Sequence, residues 1–190
     1  HWQSRGLGDV YKRQINNLSL NENDIGDFRT FLKLSPPLRT EEDRQSLIRG
    51  INKDLIDVLV SDHKPEDEES KRLTFSQAAT GASGIETLLP LSLELFHNNS
   101  IKLPKIIKLL TSNPAKVLKV DKGNLSIGND ADFCIVDINK PWIVKKEKMI
   151  SKSKNTCIEG KKLQGKVTNT FVKGVELFLS LIHISEPTRL

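Results

Sequence analysis

The chain has few aromatic residues and only two cysteines among its 190 residues. Aromatic residues make up 5% of the sequence, and the lysines are scattered among acids, so there is no basic stripe with interleaved aromatic side chains of the kind that binds nucleic acid. Cys134 and Cys157 lie far apart and match no metal-ligand spacing, which indicates two reduced thiols in a cytoplasmic protein. We therefore expect no nucleic-acid partner and no disulfide framework.

Long apolar runs are also missing. No stretch approaches the roughly 18 apolar residues that a membrane span requires, and no segment resembles a signal peptide. With 37% hydrophobic and 28% charged residues, the composition is still sufficient for a packed core. These features predict a globular chain with no membrane partner.

The two ends of the chain are related to each other through DNA. Residues 4–14, back-translated with one choice of codons, have a reverse complement that translates as residues 179–189 in order. One DNA sequence read on opposite strands therefore accounts for both ends, and it resembles the adapter of transposase-based sequencing libraries. We expect residues 1–14 and 179–190 to be adapter-derived and the native segment to cover 15–178.

A pair of reactive side chains follows a predicted buried strand. The apolar run over 56–61 predicts the strand, and Asp62 and His63 come directly after it, before Pro65 interrupts the backbone ladder. Barrel enzymes and open α/β sheets carry their active sites at the carboxyl ends of their strands. A polar loop with no catalytic role fits this segment equally well. The flanking sequence is needed to distinguish a catalytic site from such a loop.

The remaining pattern predicts a parallel α/β portion to about residue 119 and a β-rich portion after it. Thr40, followed by three acids, predicts a helix start, because a hydroxyl caps the first amides and acids suit the positive end of the helix dipole. We expect that helix to run to about Asn52. We further predict strands over 28–34, 133–136 and within 161–175, a charged loop over 66–72, and helices over 74–79, 85–97, 103–110 and from 113.

Five short segments, taken in order, carry a family resemblance. They are FLKLSPPLR at 31–39, SDHKP at 61–65, GASGIETLLP at 81–90, NPAK at 113–116 and GNDADF at 128–133. Together they resemble the C-terminal part of dihydroorotase, the amidohydrolase-superfamily enzyme of pyrimidine biosynthesis.

The resemblance implies an α/β fold in which this chain supplies only part of the whole protein. It would hold the C-terminal part of a (β/α)8 TIM-type barrel, about the last two strands, over 15–122. A small β-rich amidohydrolase appendage would follow over 123–178. Because two barrel strands without their neighbours expose long edges, we expect the isolated chain to be poorly folded and inactive.

The resemblance also implies a role for each candidate site residue. Asp62 matches the family's aspartate at the end of the eighth strand, which binds or adjoins the metal and passes a proton from the attacking water to the leaving amide nitrogen. Ser35, His63 and Gly81 would bind substrate, although His63 fits an ordinary loop histidine equally well. Gly81 or its neighbours would offer backbone N–H groups to the pyrimidine carbonyls, since a residue without Cβ lets a ligand come close. The implied cofactor is Zn²⁺, with one or two ions in the intact parent.

Several positions depart from the family pattern. Many members have a second histidine where Glu66 stands and an asparagine where Ser35 stands. A metal-binding histidine is usual near Asn16 and Asn17, and we infer no metal ligand there. The family's His-x-His pair and bridging carboxylated lysine have no counterpart, which a truncated chain explains.

Three further features have a plain structural reading. His97 is expected to be an exposed residue at a helix end, where a cation suits the dipole. Glu86 begins a helix, and capping competes with a role in holding the substrate loop. Residues 145–154 are expected to form a solvated face, with ordering of the chain near the barrel as the alternative.

The implied activity is the reversible opening of a cyclic amide, interconverting dihydroorotate and N-carbamoyl-aspartate in the cytoplasm by a homo-oligomeric enzyme. A sister enzyme acting on hydantoins, dihydropyrimidines or allantoin is one alternative. A metal-free, non-catalytic subunit that supports aspartate carbamoyltransferase is the other. The missing metal motif distinguishes the enzymes from the non-catalytic subunit.

Overall fold

The computed structural model describes residues 11–180, and within them the chain alternates short helices with two small sheets. The strands are β1 (Lys12–Gln14), β2 (Val58–Val60), β3 (Phe133–Ile143), β4 (Lys162–Val172) and β5 (Val175–Leu179). The α-helices are α1 (Asn16–Ser19), α2 (Glu41–Asn52), α3 (Glu68–Lys71), α4 (Leu88–His97), α5 (Leu103–Leu110) and α6 (Ser112–Leu118). Single 3-10 turns cover Glu22–Ile25, Thr30–Leu32, Ile85–Thr87 and Lys146–Lys148.

The two sheets differ in strand direction. β1 and β2 pair in parallel, with Lys12 opposite Val58 and Gln14 opposite Val60. β3, β4 and β5 form an antiparallel sheet in that order. The change from parallel to antiparallel pairing agrees with the change of character predicted from the sequence. No helix in residues 11–180 is long and apolar enough to cross a membrane.

Helix α2 forms where the sequence predicts it. Thr40 Oγ1 accepts a hydrogen bond from the amide of Asp43 at 3.1 Å, and acids occupy the first turn. Ile48 and Ile51 are buried on the inner face of the helix. A capped start and an apolar stripe at helical spacing therefore account for both the position and the orientation of α2.

A single apolar cluster connects the helices to the antiparallel sheet. Leu91 of α4, Val144 after β3 and Leu163 of β4 are all less than 5% exposed and belong to the same cluster. Gly165 lies where α4 meets β4, and a Cβ there would collide with Leu93. The glycine thus permits the close approach of helix and strand that closes the core.

Two predicted elements are wrong. Residues 28–34 do not form a strand: Phe28 adopts a left-handed backbone with φ of 54°, and a 3-10 turn over Thr30–Leu32 follows. Residues 74–79 form turns instead of a helix, whereas α3 lies inside the predicted loop. Asp67 explains α3, because its carboxylate accepts the amide of Glu69 and caps the helix.

The other predicted elements are confirmed with changed ends. Helix α5 has the predicted bounds, and α6 starts one residue before Asn113. The helix predicted over 85–97 begins as a 3-10 turn, and Pro90 stands in the first turn of α4, where its missing N–H has no intrahelical partner to lose. β3 is longer than predicted, and its register shifts between Asp137 and Pro141, which an edge strand tolerates.

The predicted adapter tails lie mostly outside the described residues. Their described portions include β1 and Leu179, the last residue of β5. β1 occupies a strand position although its residues are polar, because ladder hydrogen bonds join backbone atoms whatever the side chains are. The strand pairing therefore does not depend on these residues being native.

Candidate functional site

Three loops meet beyond the carboxyl end of β2. They are the proline loop (33–39), the acid–histidine loop (61–65) and the glycine turn (81–84). The carbonyl of Lys33 accepts the amide of Gly81 at 2.9 Å, and the amide of Lys64 donates to the carbonyl of Ala82 at 2.9 Å. The sequence-predicted candidates Ser35, Asp62, His63 and Gly81 thus lie on loops that are hydrogen-bonded to one another.

Asp62 lies two residues beyond β2 with its side chain exposed. Its φ of 46° is in the left-handed region, which aspartate adopts more readily than most residues. The turn directs the chain away from the sheet immediately after the strand. An exposed carboxylate at the carboxyl end of a parallel strand is placed to exchange a proton with a ligand.

His63 is half-buried, and its ring holds the glycine turn. Its Nδ1 accepts the amide of Gly84 at 3.2 Å and the amide of Ile85 at 3.4 Å. An accepting Nδ1 places the proton of the neutral ring on Nε2. One ring nitrogen therefore anchors the loop, and Nε2 is the atom that remains for the predicted substrate contact.

Ser35 is exposed on the proline loop, which is fastened to the first helix of the chain. The carbonyl of Pro37 accepts Nδ2 of Asn17 in α1 at 3.1 Å. The carbonyl of Ser35 accepts Nε2 of Gln14 at 2.9 Å, although Gln14 lies in β1 and in the predicted adapter tail. The Ser35–Pro36 peptide bond is cis. These contacts use backbone atoms of the loop, so the hydroxyl of Ser35 is not needed to hold it.

Gly81 is required by its backbone and by its surroundings. Its φ is 132°, and a Cβ would lie 2.6 Å from Cδ of Lys64. The expectation that its N–H faces a substrate carbonyl is wrong, because that N–H donates to Lys33 within the chain. The predicted substrate-binding role of Gly81 can therefore rest only on its lack of a side chain and on the N–H groups of neighbouring residues.

The glycine turn is also held by a lysine that the sequence did not single out. Lys71 is 0% exposed, and its Nζ donates to the carbonyls of Ala79 at 2.9 Å, Gly81 at 3.0 Å and Lys33 at 3.4 Å. Burial lowers the pKa of Lys71 to about 8. Its position in a charged stretch gave no sign of this, since a lysine among acids is usually solvated.

Asn155 is a second residue that sequence reasoning missed. It is fully buried, and its Nδ2 donates to the carbonyls of Lys64 at 3.1 Å and Gly81 at 3.4 Å. Its Oδ1 accepts the hydroxyls of Ser83 at 2.6 Å and Ser153 at 2.7 Å. Asn155 therefore joins the β-rich portion to two loops of the site. The only signal was an uncharged Asn-Thr-Cys after a run of lysines and serines.

The strip over 145–154 is ordered rather than simply solvated. Glu86 accepts the amides of Ile150 at 3.1 Å and Ser151 at 3.0 Å, so its carboxylate holds this strip instead of capping its own helix. Lys154 Nζ donates to the carbonyls of Met149 and Ser151. The strip is therefore partly solvated and also held by Glu86, while its ordering role near a barrel stays a prediction.

His97 also differs from expectation. It is the last residue of α4, as predicted, but it is half-buried, and its Nε2 is buried without a hydrogen-bond partner in residues 11–180. It packs against the ring of Phe96 with centroids 5.3 Å apart. The helix end explains its position, and the packing explains why it is not exposed.

The described residues do not form a zinc site by themselves. Within residues 11–180 no group of three or more His, Cys, Asp or Glu side chains could hold a metal ion. The Oδ1 atoms of Asn16 and Asn17 are buried without a partner, but amide oxygens are not the nitrogen, thiolate and carboxylate ligands that zinc prefers. Asp62 remains the ligand predicted from the sequence, and its surroundings within residues 11–180 do not complete a zinc site.

Comparison with known proteins identifies the family. The model of the amidohydrolase family matches residues 12–177. The chain belongs to the amidohydrolase family. Among the curated amidohydrolase relatives, a dihydroorotase of Ehrlichia canis is 40% identical over 182 residues, 96% of this chain and 41% of the relative. A dihydroorotase of Aquifex aeolicus is 40% identical over 173 residues, 91% of this chain and 41% of the relative.

Solved amidohydrolase structures agree with the described fold. The L-hydantoinase (dihydropyrimidinase) of Arthrobacter aurescens superposes with a TM-score of 0.81 and 28% identity, over 88% of this chain and 38% of that one. A dihydropyrimidinase of Brevibacillus agri superposes with a TM-score of 0.80 and 22% identity, over 88% of this chain and 39% of that one. This similarity supports the fold alone. The chain thus spans about two fifths of the relatives it matches.

Proposed function

We propose that the full-length protein containing this chain is a dihydroorotase. It would catalyse the reversible hydrolysis of the cyclic amide of dihydroorotate to N-carbamoyl-aspartate. The observation that carries the proposal is the 40% identity to the Ehrlichia canis dihydroorotase over 96% of this chain. The motif loops that suggested the activity are hydrogen-bonded to one another beyond the carboxyl end of β2, and barrel enzymes carry their active sites at that end of their strands, which supports the proposal.

The proposed architecture of the full-length protein is a (β/α)8 barrel with a small β appendage. β2 and the helices around it would belong to the barrel, whose end we assign to 15–122, whereas β1 at Lys12–Gln14 falls in the segment assigned to the adapter. The antiparallel sheet would be part of the appendage, assigned to 123–178. The terminal segments 1–14 and 179–190 remain assigned to the adapter.

In this proposal Asp62 moves protons. Its exposed carboxylate would accept a proton from the attacking water and deliver it to the amide nitrogen as the ring opens. The Nε2–H of His63 and the hydroxyl of Ser35 would donate hydrogen bonds to polar atoms of the substrate. The glycine turn would form one wall of the pocket, since Gly81 brings backbone rather than a side chain to that surface.

The metal requires residues from outside this chain. We propose that the full-length protein holds one or two Zn²⁺ ions with ligands of the remaining barrel strands, next to Asp62. A divalent metal lowers the pKa of water toward neutrality, which is the chemistry it would supply. We further propose a cytoplasmic homo-oligomer of pyrimidine biosynthesis, with aspartate carbamoyltransferase as a protein partner.

The test is the activity of the full-length protein, expressed from the gene recovered by extending the DNA upstream. We expect hydrolysis of dihydroorotate that is lost on chelation and restored by Zn²⁺, with kcat/KM above that for hydantoin or allantoin. If the protein hydrolyses none of these substrates and the upstream sequence lacks the His-x-His pair, the proposed enzymatic function is refuted. The non-catalytic subunit is then favoured.

A cyclic amidohydrolase of the hydantoinase type is the second candidate. The superposition on the Arthrobacter aurescens L-hydantoinase, at 28% identity, favours it. Faster turnover of hydantoins than of dihydroorotate by the same preparation would establish it in place of the first proposal.

A further inference from the structure

The buried ammonium of Lys71 lies between two loops of the candidate site. All three hydrogen-bond acceptors that Nζ meets in residues 11–180 are backbone carbonyls, those of Lys33, Ala79 and Gly81. An ammonium has three donors, and three carbonyl oxygens converge on it. The side chain therefore satisfies a set of acceptors that no neutral aliphatic residue could satisfy.

These acceptors belong to segments far apart in sequence. Gly81 and Ala79 flank the start of the glycine turn, and Lys33 lies two residues before Ser35. The carbonyl of Lys71 itself accepts the hydroxyl of Thr30, which ties the end of α3 to the 3-10 turn that precedes the proline loop. Lys71 thus reinforces the direct hydrogen bond that the amide of Gly81 donates to the carbonyl of Lys33 between the glycine turn and the proline loop.

Burial of this lysine is costly, which indicates that its position matters. A buried charge without a carboxylate partner loses its hydration, and here only carbonyl dipoles replace the lost water. A solvated lysine at the end of a short helix would avoid that cost. Lys71 and Ala82 are both buried, so the junction between the two loops is closed to solvent. Water alone therefore could not hold the loops together.

We propose that Lys71 is a positioning residue that sets the shape of the substrate pocket by holding the glycine turn against the proline loop. This inference rests on the proposed cyclic-amide hydrolysis. In residues 11–180 the hydrogen bonds of Lys71 Nζ go to the carbonyls of Lys33, Ala79 and Gly81 and not to Asp62, so the loss of Lys71 can be distinguished from the loss of the proposed proton carrier. Removing the ammonium takes away the donor that the carbonyl of Ala79 meets and one of the two donors that the carbonyls of Lys33 and Gly81 each meet, which loosens the contact between the two loops.

The experiment compares Lys71→Met with Lys105→Met in the full-length protein. Lys105 is the control, because its Nζ also donates to two backbone carbonyls, those of Ile51 and Asn52, at 3.2 and 2.9 Å, although it is half-buried and also pairs with Asp54. Those carbonyls precede β2, at the end of the strand opposite to Asp62. We expect Lys71→Met to raise KM for dihydroorotate about tenfold or more with kcat changed less than about threefold, and Lys105→Met to leave both unchanged.

A second variant and a second measurement cover the remaining outcomes. Lys71→Gln keeps two donors and should give an intermediate KM; it replaces the methionine variant if that one does not fold. Amide hydrogen exchange of residues 79–84 should accelerate in Lys71→Met and not in Lys105→Met. An unchanged KM, or equal effects of the two methionine variants, overturns the proposal. If the unsubstituted protein hydrolyses no cyclic amide, the proposed function fails, and unchanged exchange at 79–84 would separately overturn the anchoring role.

Discussion

Replacing Gly84 by alanine tests whether the loops position Asp62. Gly84 is buried, and its φ of −135° is accessible to any residue, so the substitution acts through space rather than backbone strain. A Cβ would lie 2.8 Å from the carbonyl oxygen of Ser61, the residue before Asp62. Ordinary contacts begin near 3.4 Å, so the Ser61 peptide or the glycine turn must move by about 0.6 Å.

The size of the effect follows from that displacement. Forcing an extra methyl into a packed site costs about 1–3 kcal/mol of unfolding free energy. A misplacement of about 1 Å at a reacting group lowers rates about 10²-fold, so a shift of about half that should lower kcat for dihydroorotate at least about tenfold. Steady-state kinetics and thermal unfolding of the full-length protein measure the two effects.

Gly50 provides the matched control for this substitution. It lies inside α2, and its Cβ would contact only the end of the Ile56 side chain at 3.4 Å. Gly50→Ala should therefore leave kcat unchanged and stabilise the helix by up to about 1 kcal/mol. Unchanged kcat in Gly84→Ala, or an equal loss in Gly50→Ala, would refute the reasoning.

Four further predictions concern titratable groups and the isolated chain. Asp62→Asn should lower kcat by about 10²-fold or more with little change in KM or melting temperature, because the side chain is exposed; retained kcat in steady-state assays would exclude it as the proton carrier. The pKa of Lys71, about 8 against an ordinary 10.5, means that the folded protein binds fewer protons than the unfolded chain between those values. Raising the pH through this window should therefore stabilise the full-length protein relative to Lys71→Met by up to about 3 kcal/mol, and parallel melting curves of the two proteins across that range would contradict this. Burial raises the pKa of Cys157 to about 11, so a thiol reagent at pH 7.5 should label exposed Cys134 in the folded protein and Cys157 only after denaturation; equal labelling rates would argue against the buried thiol. The isolated 190-residue chain should be poorly folded and inactive, and soluble, zinc-dependent hydrolysis of dihydroorotate by it would show otherwise.

The sequence correctly predicted the helices that depend on interactions between residues close together in the chain. Helix α5 has a strong apolar period and formed with the predicted bounds, and Thr40 capped α2 as its hydroxyl suggested. The segment 28–34 has an alternating pattern too, but the left-handed turn at Phe28 and the prolines after it prevent a strand. An alternating apolar and polar pattern over a few residues does not produce a strand where the backbone must turn.

The candidate site was predictable only as far as motifs locate loops. Asp62 and His63 could be placed at a strand end because both lie next to the apolar run that forms β2. Lys71 and Asn155 could not be found, since their partners lie up to 38 and 91 residues away along the chain. Contacts at such separations are made by tertiary packing, which leaves no local pattern around either residue.

The shared core of α4 and the antiparallel sheet has a consequence for unfolding. Leu91, Val144 and Leu163 lie in one apolar cluster, although the sheets on either side differ in strand direction. In the full-length protein, denaturant should therefore melt both portions in one cooperative transition, and cleavage near residue 122 should not yield two independently stable pieces. The change of sheet type at that position marks a boundary of architecture but not of stability.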